Sequence, residues 1–335
     1  MMTIIDATYI HSSGGLEILT QISDNLPEGE YIFLLDKRLK EYERFKKKGK
    51  LKILKANESN RKKFYRNNSR KINKVICIAN VPPPLHIKKR VIIYFHNILL
   101  LNLKNSNIGL KSKMIYKLKR IYIKLINREH YEWVVQTGLM KKKLSKKIGV
   151  KESLISTFPI FNSKKNNLPK KVKNSFLCVS SNDNHKNLKR VIIAFNNISK
   201  IIDKKTTLNL TLEDKAFDGL KSYIKNDSSN LDINNNGYMS KKQLYKMYEE
   251  SEYLIFPSLK ESFGLPLVEA CNNGCKLICS DLPYIYEIVS PSYVFNPFST
   301  QSISNSLIKA LNGEVNEISS LRVYNKIDNF IKYIT

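Results

Sequence analysis

Short runs of apolar, mostly β-branched residues alternate along the chain with longer stretches in which apolar residues recur at helical spacing. Continuous apolar runs are typical of strands in a parallel sheet that is covered on both faces. In the first half the runs are TIIDA (3–7), YIFLLD (31–36), LKILKA (51–56), KVICIA (74–79), VIIYF (91–95) and WVVQT (133–137). In the second half they are FLCVSS (176–181), TLNLTL (207–212), EYLIFPS (252–258) and CKLICSD (275–281). The stretches between them predict crossover helices, so we expect an α/β chain.

A polar segment rich in Lys and Asn, with one proline, separates the two sets of runs. It is FNSKKNNLPKKVKNS, residues 161–175, and it predicts a domain boundary. We therefore expect two Rossmann-like, doubly wound domains that face each other across a cleft. Residues 1–162 would form the first domain, 163–174 a linker and 175–317 the second domain, with 318–335 as a helix that returns to the first. In such sheets ligands bind beyond the carboxyl ends of the strands.

Positive charge is concentrated in the first half of the chain. Of the 57 Lys and Arg and 29 Asp and Glu, residues 1–160 hold 34 and 12, for a net charge of +22 out of +28. Three explanations compete: nucleic acid, an anionic membrane surface, and ordinary solvation in a chain rich in Lys, Asn and Ile. We find no zinc-finger spacing, RNP-type aromatic segment or basic-region heptad that would favour nucleic acid. The membrane and solvation explanations both remain open.

The segment KSKMIYKLKRIYIKLIN, residues 111–127, predicts an amphipathic helix within this basic half. Helical spacing places Met114, Leu118, Ile121, Tyr122 and Leu125 on one side, with Lys113, Lys117, Arg120 and Lys124 opposite or beside them. Such a helix is suited to lie on anionic lipid. An apolar stripe that packs onto a sheet, with its lysines in water, explains the same pattern. The two interpretations are compatible if the stripe faces the core and only the lysine fringe meets lipid.

The segment FPSLKESFGLPLVEACNNGCKLICSD, residues 256–281, combines two glutamates with a Gly-Leu-Pro turn. Glu261 is expected in the loop after a strand, and Glu269 about one turn into the following helix. Between them, Gly264 lets backbone N–H groups approach a ligand closely, and the helix that begins near Pro266 directs its positive end to the same place. The pattern predicts a phosphate-binding loop flanked by two hydrogen-bond acceptors for sugar hydroxyls. An ordinary strand-loop-helix with two surface glutamates is the alternative.

This segment resembles the retaining, nucleotide-sugar-dependent glycosyltransferases of family 4, which have the two-domain GT-B architecture. The matching residues are Pro257, Ser258, Glu261, Phe263, Gly264, Leu265, Pro266, Glu269, Ala270 and Gly274. The resemblance implies that Glu261 takes part in catalysis by holding hydroxyls of the transferred sugar, and that Glu269 binds the ribose. It also implies donor contacts from Phe263, Gly264 and Leu265.

Two other segments of the second half match the same family in the expected order. CVSSNDNHKNLKRVIIAF resembles the strand and loop that open the second domain, where a Lys-Asn pair contacts the donor diphosphate; here the pair is Lys186 and Asn187. The family usually has an arginine five positions before that lysine. This chain has Ser181 there, and His185 is the nearest residue that would compensate.

The segment NNNGYMSKKQLYKMYEES resembles the part of the family that covers the nucleobase. The resemblance implies that Gly237 and Tyr238 line the base pocket, and KKQLYKMY predicts the helix that follows. An Asn-rich loop before a helix has the same pattern and is the alternative.

The first half carries weaker signals of the same family. HSSGGLEILTQI places Gly14 and Gly15 in a loop between the first strand and the first helix, and the resemblance implies that this loop closes over the donor phosphates and the reacting sugar; a simple turn is the alternative. His96 ends a buried strand and lies near the reacting sugar in the family, whereas a satisfied core histidine is the alternative. VVQTGLMKKKLSKKIG resembles a segment that brings Gln136 and Thr137 to the cleft.

The resemblance implies transfer of a sugar from a nucleoside-diphosphate sugar to a glycan or polyprenyl-linked acceptor with retained anomeric configuration, as in bacterial O-antigen, lipopolysaccharide or capsule synthesis. It implies no metal and no cofactor, and no nucleic-acid partner. The five cysteines and the absence of a leader indicate the cytoplasm, with peripheral contact to the inner face of the plasma membrane left open. A nucleotide-sugar 2-epimerase of the same fold and a non-enzymatic basic protein that binds membrane or nucleic acid are the alternative functions.

Overall fold

The structure, a computed structural model, describes residues 2–335 except 105, 107, 164–169, 182 and 226–227, and at position 13 the backbone only. It divides into two compact units. Unit 1 consists of Met1–Leu103, Gly109–Asn162 and Tyr324–Thr335. Unit 2 consists of Lys104–Ile108 and Ser163–Val323.

Unit 1 contains the six strands predicted for the first half, a seventh that was not predicted, the helices between them and short 3-10 turns. Its strands are β1 (Met2–Ala7), β2 (Tyr31–Asp36), β3 (Lys50–Leu54), β4 (Ile72–Cys77), β5 (Arg90–Tyr94), β6 (Glu132–Val135) and β7 (Ile155–Thr157). Its helices before the boundary are α1 (Ser13–Asn25), α2 (Glu58–Asn68), α3 (Leu110–Ile126) and α4 (Gly138–Ile148). The 3-10 turns are Tyr42–Lys47, Ile98–Leu100 and Glu152–Leu154.

Unit 2 repeats the alternation of strands and helices. Its strands are β8 (Val172–Cys178), β9 (Thr206–Leu210), β10 (Leu231–Asn235), β11 (Ser251–Phe256), β12 (Lys276–Ser280), β13 (Val289–Ser290), β14 (Tyr293–Phe295) and β15 (Ser320–Leu321). Its helices are α5 (Leu188–Ile198), α6 (Asp214–Lys221), α7 (Lys241–Glu250), α8 (Leu265–Asn272), α9 (Pro283–Ile288) and α10 (Thr300–Leu311), with a 3-10 turn at Asn184–Lys186.

The described strands of unit 1 form a seven-stranded parallel sheet in the order β3-β2-β1-β4-β5-β6-β7. Consecutive residues of a strand enter different cores: Ile4 and Val75 belong to one cluster, whereas Ile5 and Ile76 belong to the other. Both faces of the sheet are therefore covered, as the continuous apolar runs predict. The strand order reverses between β1 and β4.

The main described sheet of unit 2 is six-stranded and parallel, in the order β10-β9-β8-β11-β12-β14. Its order reverses between β8 and β11. Because parallel strands end at the same edge, the loops after β8 and β11 lie side by side there. Crevices at such reversals are where open α/β sheets bind ligands.

The last helix, α11 (Ile327–Ile334), belongs to unit 1. The Phe330 ring packs edge-on against Tyr94, with 5.5 Å between ring centroids, and Lys74 Nζ donates to the Ile334 carbonyl at 2.6 Å. The helix is shorter than the predicted 318–335 segment. Residues 318–323 stay with unit 2, since β15 pairs with β13.

Two other boundaries differ from the prediction. Gly14 and Gly15 do not lie in a loop but in the first turn of α1, which begins after Ser12. Half of the predicted linker at 163–174, residues 164–169, lies outside the described residues, and its last three residues already belong to β8. The strand begins early because its first residue pairs with Ser251 of β11.

Helix α3 does not bury its apolar stripe. Ile123 is its one fully buried residue, and Tyr122 is partly buried, whereas Met114, Leu118, Ile121 and Leu125 are exposed. The interpretation in which the stripe packs onto the sheet is therefore wrong for these four residues. In the described part of the chain, no helix is both long and apolar enough to cross a bilayer.

Candidate functional site

Lys186 and Glu261 meet where the strand order of the second sheet reverses. Lys186 ends the 3-10 turn after β8, and Glu261 lies in the loop after β11. Lys186 Nζ lies 2.6 Å from Glu261 Oε1, and their side chains are only 17% and 12% exposed. The two loops are also joined through backbone, since the Leu259 N–H donates to the His185 carbonyl at 2.7 Å. A cation and a carboxylate are thus held together at the expected ligand crevice.

Asn187 holds the turn that carries Lys186. Its backbone has a φ of 62°, in the left-handed region that Asn tolerates. Its side chain is buried, with Nδ2 donating to the Pro297 carbonyl at 2.8 Å and Oδ1 accepting from Arg190 Nη1 at 2.7 Å. The amide predicted to contact the donor is therefore engaged inside the protein, where it fixes the direction of the neighbouring lysine.

Gly264 begins α8 in a conformation that favours glycine. Its φ is +89°, and a Cβ at this position would lie 3.1 Å from Leu267 Cδ1. Pro266 follows in the first turn, where its missing N–H costs no helical hydrogen bond. The backbone N–H groups of this turn and the helix dipole favour an anion at the helix start.

Glu269 lies one turn into α8 and is paired with a tyrosine that sequence reasoning missed. The buried Tyr248 hydroxyl of α7 donates to Glu269 Oε2 at 2.9 Å. Burial raises the pKa of Glu269, against the hydrogen bond from Tyr248 and the positive charge of Lys241. The other carboxylate oxygen, Oε1, accepts no hydrogen bond from the described residues. Glu269 thus keeps one oriented acceptor for a ligand hydroxyl.

The position where the family has an arginine supplies no cation in this chain. The Ser181 hydroxyl donates to Asp183 Oδ2 at 2.6 Å, so the loop carries a carboxylate there. His185 is buried, and its Nδ1 has no hydrogen-bond partner among the described residues. Burial lowers the pKa of His185, which keeps the ring neutral. Buried polar atoms without partners are costly, so this nitrogen is available to a polar group from outside the described residues.

The remaining predicted donor residues of unit 2 differ in their exposure. Tyr238 is 84% exposed. Gly237 has a φ of +68° with open space around it. Phe263 is buried, and Leu265 is partly buried at the start of α8.

In unit 1, Gly15 lies directly against His96. A Cβ at position 15 would lie 3.0 Å from His96 Cε1, which is closer than nearly all real Cβ contacts. The α1 N-terminus follows β1, and His96 follows β5, so both are at the carboxyl edge of the first sheet. The glycine is needed for space rather than for backbone freedom.

Asn80, which sequence reasoning missed, determines which ring nitrogen of His96 carries the proton. The His96 backbone N–H donates to Asn80 Oδ1 at 2.6 Å, so Asn80 Nδ2 faces His96 Nε2 at 3.0 Å. The amide group donates there, which makes Nε2 the acceptor and leaves the ring proton on Nδ1. Burial lowers the pKa of His96 to about 4, so the ring is neutral near pH 7. His96 therefore offers an N–H donor rather than a positive charge.

Of the two residues predicted from the segment 134–149, Thr137 has a structural role. The Thr137 hydroxyl accepts the Met140 N–H at 3.2 Å and so caps α4. Thr137 and Gln136 are both buried.

A buried ion pair also holds the loop after β1. Asp6 Oδ2 accepts from Arg61 Nη2 at 2.8 Å and from the Tyr65 hydroxyl at 2.8 Å, and Oδ1 accepts from the Thr8 hydroxyl at 2.6 Å. Burial by itself would raise the pKa of Asp6, but Arg61 and these hydrogen bonds lower it. The Arg61 and Asp6 side chains are almost completely buried. The pattern of apolar runs holds no signal for such a pair.

Of the two missed residues, Asn80 has a distinctive local setting, whereas Tyr248 has none. Asn80 follows β4 and precedes VPPP, and its φ of 69° is unusual for a residue other than glycine. Among the described residues, no three His, Cys, Asp or Glu side chains are grouped so that they would hold a metal ion.

Comparison with known proteins adds to this geometry. The family model described as glycosyl transferases group 1 matches residues 160–329, about half of the chain. The serotype-specific mannosyltransferase WbdA of Escherichia coli is 33% identical over 79 residues, which are 23% of this chain and 10% of WbdA. The O-antigen chain mannosyltransferase B of Escherichia coli is 30% identical over 76 residues, 22% of this chain and 20% of that protein. The chain thus matches at most a fifth of the length of these relatives.

Solved structures resemble the whole chain. WaaG, described as a glycosyltransferase involved in lipopolysaccharide biosynthesis, has a TM-score of 0.68 at 13% identity over 100% of both chains. Anabaena HepE, solved with UDP and glucose, has a TM-score of 0.68 at 12% identity over 100% of this chain and 95% of HepE. At such identities the likeness concerns the fold. The predicted α/β fold with two parallel-sheet domains of the GT-B type is confirmed.

Proposed function

Because the chain belongs to the family of glycosyl transferases group 1, we propose that it transfers a sugar from a nucleoside-diphosphate sugar to an acceptor hydroxyl. The observation that carries this proposal is the joining of Lys186 and Glu261 beside the start of α8, at the strand-order reversal of the second sheet. A cation, a helix N-terminus and a carboxylate at one crevice suit a ligand with a diphosphate and sugar hydroxyls.

In unit 2 each group has a separate role in this proposal. Lys186 and the N–H groups of α8 after Gly264 stabilise the charge that develops on the leaving diphosphate. Glu261 accepts hydrogen bonds from the hydroxyls of the transferred sugar and also orients Lys186. Glu269, positioned by Tyr248, accepts from the ribose. His185 Nδ1 provides the neutral polar contact that replaces the family's arginine.

Three groups predicted for donor binding take smaller roles. Asn187 orients the turn around Lys186, Phe263 supports the loop from the core, and Gly237 with Tyr238 reaches the base from the loop before α7. No metal or cofactor is assigned, because Lys186 and α8 supply the positive charge.

In unit 1 we assign His96 Nδ1–H as a donor to the sugar, with Gly15 leaving room for its ring. Gly14, in the first turn of α1, is assigned to the donor phosphates by resemblance. No described residue is assigned as a nucleophile. By resemblance, the leaving group departs and the acceptor attacks on one face of the sugar, which retains the anomeric configuration.

The acceptor we propose is a glycan or polyprenyl-linked glycan of a bacterial surface polysaccharide, either lipopolysaccharide with O-antigen or capsule. The similarity to the serotype-specific mannosyltransferase WbdA, to the O-antigen chain mannosyltransferase B and to WaaG supports this class. We propose that the protein acts in the cytoplasm, in peripheral contact with the inner face of the membrane where such acceptors are anchored.

The test is a screen of the purified chain against UDP-, GDP- and ADP-sugars, with ligand-observed NMR for binding and release of the nucleoside diphosphate for turnover. We expect one nucleotide to bind and its sugar to be hydrolysed slowly. An isomerised nucleotide sugar would indicate the 2-epimerase instead, and binding without any turnover would indicate a non-enzymatic protein. A product of inverted anomeric configuration would contradict retention.

A further inference from the structure

Helix α3 presents an apolar surface to solvent. Five of its residues, spaced four, four, three and four apart, share one face; we call them the α3 stripe. They are Leu110, Met114, Leu118, Ile121 and Leu125. Each is between 53% and 83% exposed in the full chain. Leaving five large aliphatic side chains in water is unfavourable, and contiguous exposed patches of this kind mark interaction sites.

Contacts on the opposite face and on both flanks of α3 fix the direction of the stripe. Ile123 is buried in a core of unit 1, and at 100° per residue the centre of the stripe lies opposite it. The Tyr122 hydroxyl donates to Glu58 Oε2 at 2.7 Å, and Arg120 Nε donates to the Leu100 carbonyl at 2.6 Å. These contacts hold the helix so that rotation cannot turn the stripe inward.

The charged residues of α3 all have one sign. Helix α3 contains six Lys and Arg residues and no Asp or Glu. Lys117 and Lys124 flank the stripe on one side, Lys111 flanks it on the other, and all three are exposed. The helix thus combines an outward apolar face with a cationic border, which is the composition of helices that lie in the interface of an anionic bilayer.

We propose that the α3 stripe is the surface on which this protein docks to an anionic lipid bilayer, with α3 parallel to the membrane and its lysines at the phosphate level. A second copy of the chain fits less well, since a two-fold contact places the same patch on both sides and would bring the like-charged borders together. A nucleic acid fits less well because its phosphates would leave the stripe in water. Docking to the bilayer does not depend on any of the residue roles assigned to unit 2. It rests on the proposed function only in that a membrane-anchored acceptor gives the docking its purpose.

Vesicle flotation of the full chain tests the docking. Phosphatidylcholine vesicles with and without phosphatidylglycerol are compared at low and high salt. We expect binding to the anionic vesicles only, and weaker binding at high salt. Leu118→Ser/Leu125→Ser and Lys117→Glu/Lys124→Glu should each reduce apparent affinity by at least about tenfold, since apolar insertion and charge both contribute.

Two control variants make the same kinds of substitution, apolar to serine and lysine to glutamate, at exposed positions of unit 2. Ile201→Ser/Ile318→Ser replaces two exposed isoleucines of unit 2, and Lys200→Glu/Lys215→Glu reverses two exposed lysines there. Both should bind anionic vesicles as the wild type does. All the changed side chains are exposed, so every variant should keep the wild-type circular dichroism and melting temperature.

A fluorescence experiment checks insertion directly. The chain has one tryptophan, Trp133, which is fully buried. Leu118→Trp should show a blue shift and quenching by brominated lipid when anionic vesicles are added, whereas Ile318→Trp should show neither.

Several results would overturn the docking proposal. These are equal binding of wild type and Leu118→Ser/Leu125→Ser, binding that is indifferent to lipid charge, and a dimer in solution that the same variant dissociates. Donor binding measured without vesicles keeps the two proposals apart. A stripe variant that binds nucleotide but not vesicles supports the docking site, whereas vesicle binding without any nucleotide binding contradicts only the proposed transferase function.

Discussion

Lys186 Nζ and Glu261 Oε1 are 2.6 Å apart, although 75 positions separate the two residues along the chain. They meet because β8 and β11 are neighbours in the second sheet, so the loops that follow them share one edge. A lysine held by a carboxylate has a defined position before any ligand arrives. Such preorganisation is what electrostatic stabilisation of a leaving group requires.

Lys186→Ala should therefore abolish most of the turnover. If Lys186 stabilises the leaving diphosphate, its removal should lower kcat by about 10²- to 10³-fold, as loss of one preorganised donor does. Donor hydrolysis measures this. Lys189→Ala is the control, because Lys189 lies in the same region but is exposed and contacts Tyr223. Unchanged kcat in Lys186→Ala would remove this lysine from the mechanism.

Tyr248→Phe should weaken nucleotide binding. The substitution removes the hydroxyl that orients Glu269. It should also raise the pKa of Glu269 further, because the hydrogen bond from Tyr248 lowers this pKa and so opposes the effect of burial. We expect the free energy of unfolding to fall by about 1 kcal/mol and the nucleotide Kd to rise. Tyr253→Phe removes another buried hydroxyl, which donates to the Ala310 carbonyl, and should lower stability similarly without changing Kd. Equal Kd values in both variants would mean that Tyr248 has only a structural role.

Gly15→Ala should displace His96. The new Cβ would lie 3.0 Å from His96 Cε1 and 3.1 Å from Ile10 Cδ1, so the ring has to move. Turnover should fall while the protein still folds, because alanine favours the helix by about 1 kcal/mol. Gly219→Ala in α6 meets nothing within 4 Å and should raise the melting temperature with turnover unchanged. Wild-type turnover in Gly15→Ala would show that the position of His96 is unimportant.

Acid should destabilise the protein partly through His96. Its pKa is about 4 in the folded chain and about 6.5 in an unfolded one. Between these pH values His96 binds a proton in the unfolded chain but not in the folded one. The free energy of unfolding therefore falls as pH decreases from about 6.5 towards 4. After allowance for the partial exposure of the ring, the loss is about 1–2 kcal/mol.

Melting temperatures measured across this pH range test the assignment. His96→Gln should lose less stability in acid than the wild type, whereas His86→Gln, at an exposed position, should keep the wild-type profile. Identical profiles for wild type and His96→Gln would contradict the lowered pKa. Above pH 6.5 we expect no contribution from His96 in any variant.

Asp6→Asn should be strongly destabilising. It leaves the Arg61 guanidinium, 1% exposed, without its buried counterion, and loss of one partner of a buried pair costs about 3–5 kcal/mol. Denaturant unfolding measures the change. Asp232→Asn in the exposed pair with Lys205 should cost less than about 1 kcal/mol. Similar losses in the two variants would contradict a dominant role for burial.

Strand positions could be predicted because each depends on a window of a few residues. YIFLLD coincides with β2, Tyr31–Asp36, and the runs that became β8 and β11 differ from the prediction by a few residues at their ends. Five strands were missed. Four of them, β7, β13, β14 and β15, have only two or three residues and so carry no periodic signal. The fifth, β10, is the polar edge strand LDINN, which has no apolar run. Gly264 was recognised because its turn lies within one motif.

Partners that come from different strands could not be predicted. Nothing near Glu269 indicates Tyr248, and nothing near His96 indicates Asn80, because the strand order that brings them together is not a local property. Asn187 was predicted to contact a ligand, yet its amide binds the Pro297 carbonyl 110 positions away.

By itself, the sequence determined the two parallel-sheet domains and the strand-loop-helix that carries Glu261 and Glu269. Apolar runs, turn residues and helix starts each depend on residues that are close together in the chain. Tertiary structure alone decided the pairing of Lys186 with Glu261 and the direction of the α3 stripe. An amphipathic pattern defines two faces of a helix but not which of them meets the core. In α3 that choice was made by Ile123 and by the hydrogen bond from Tyr122 to Glu58, which leave the apolar face in solvent.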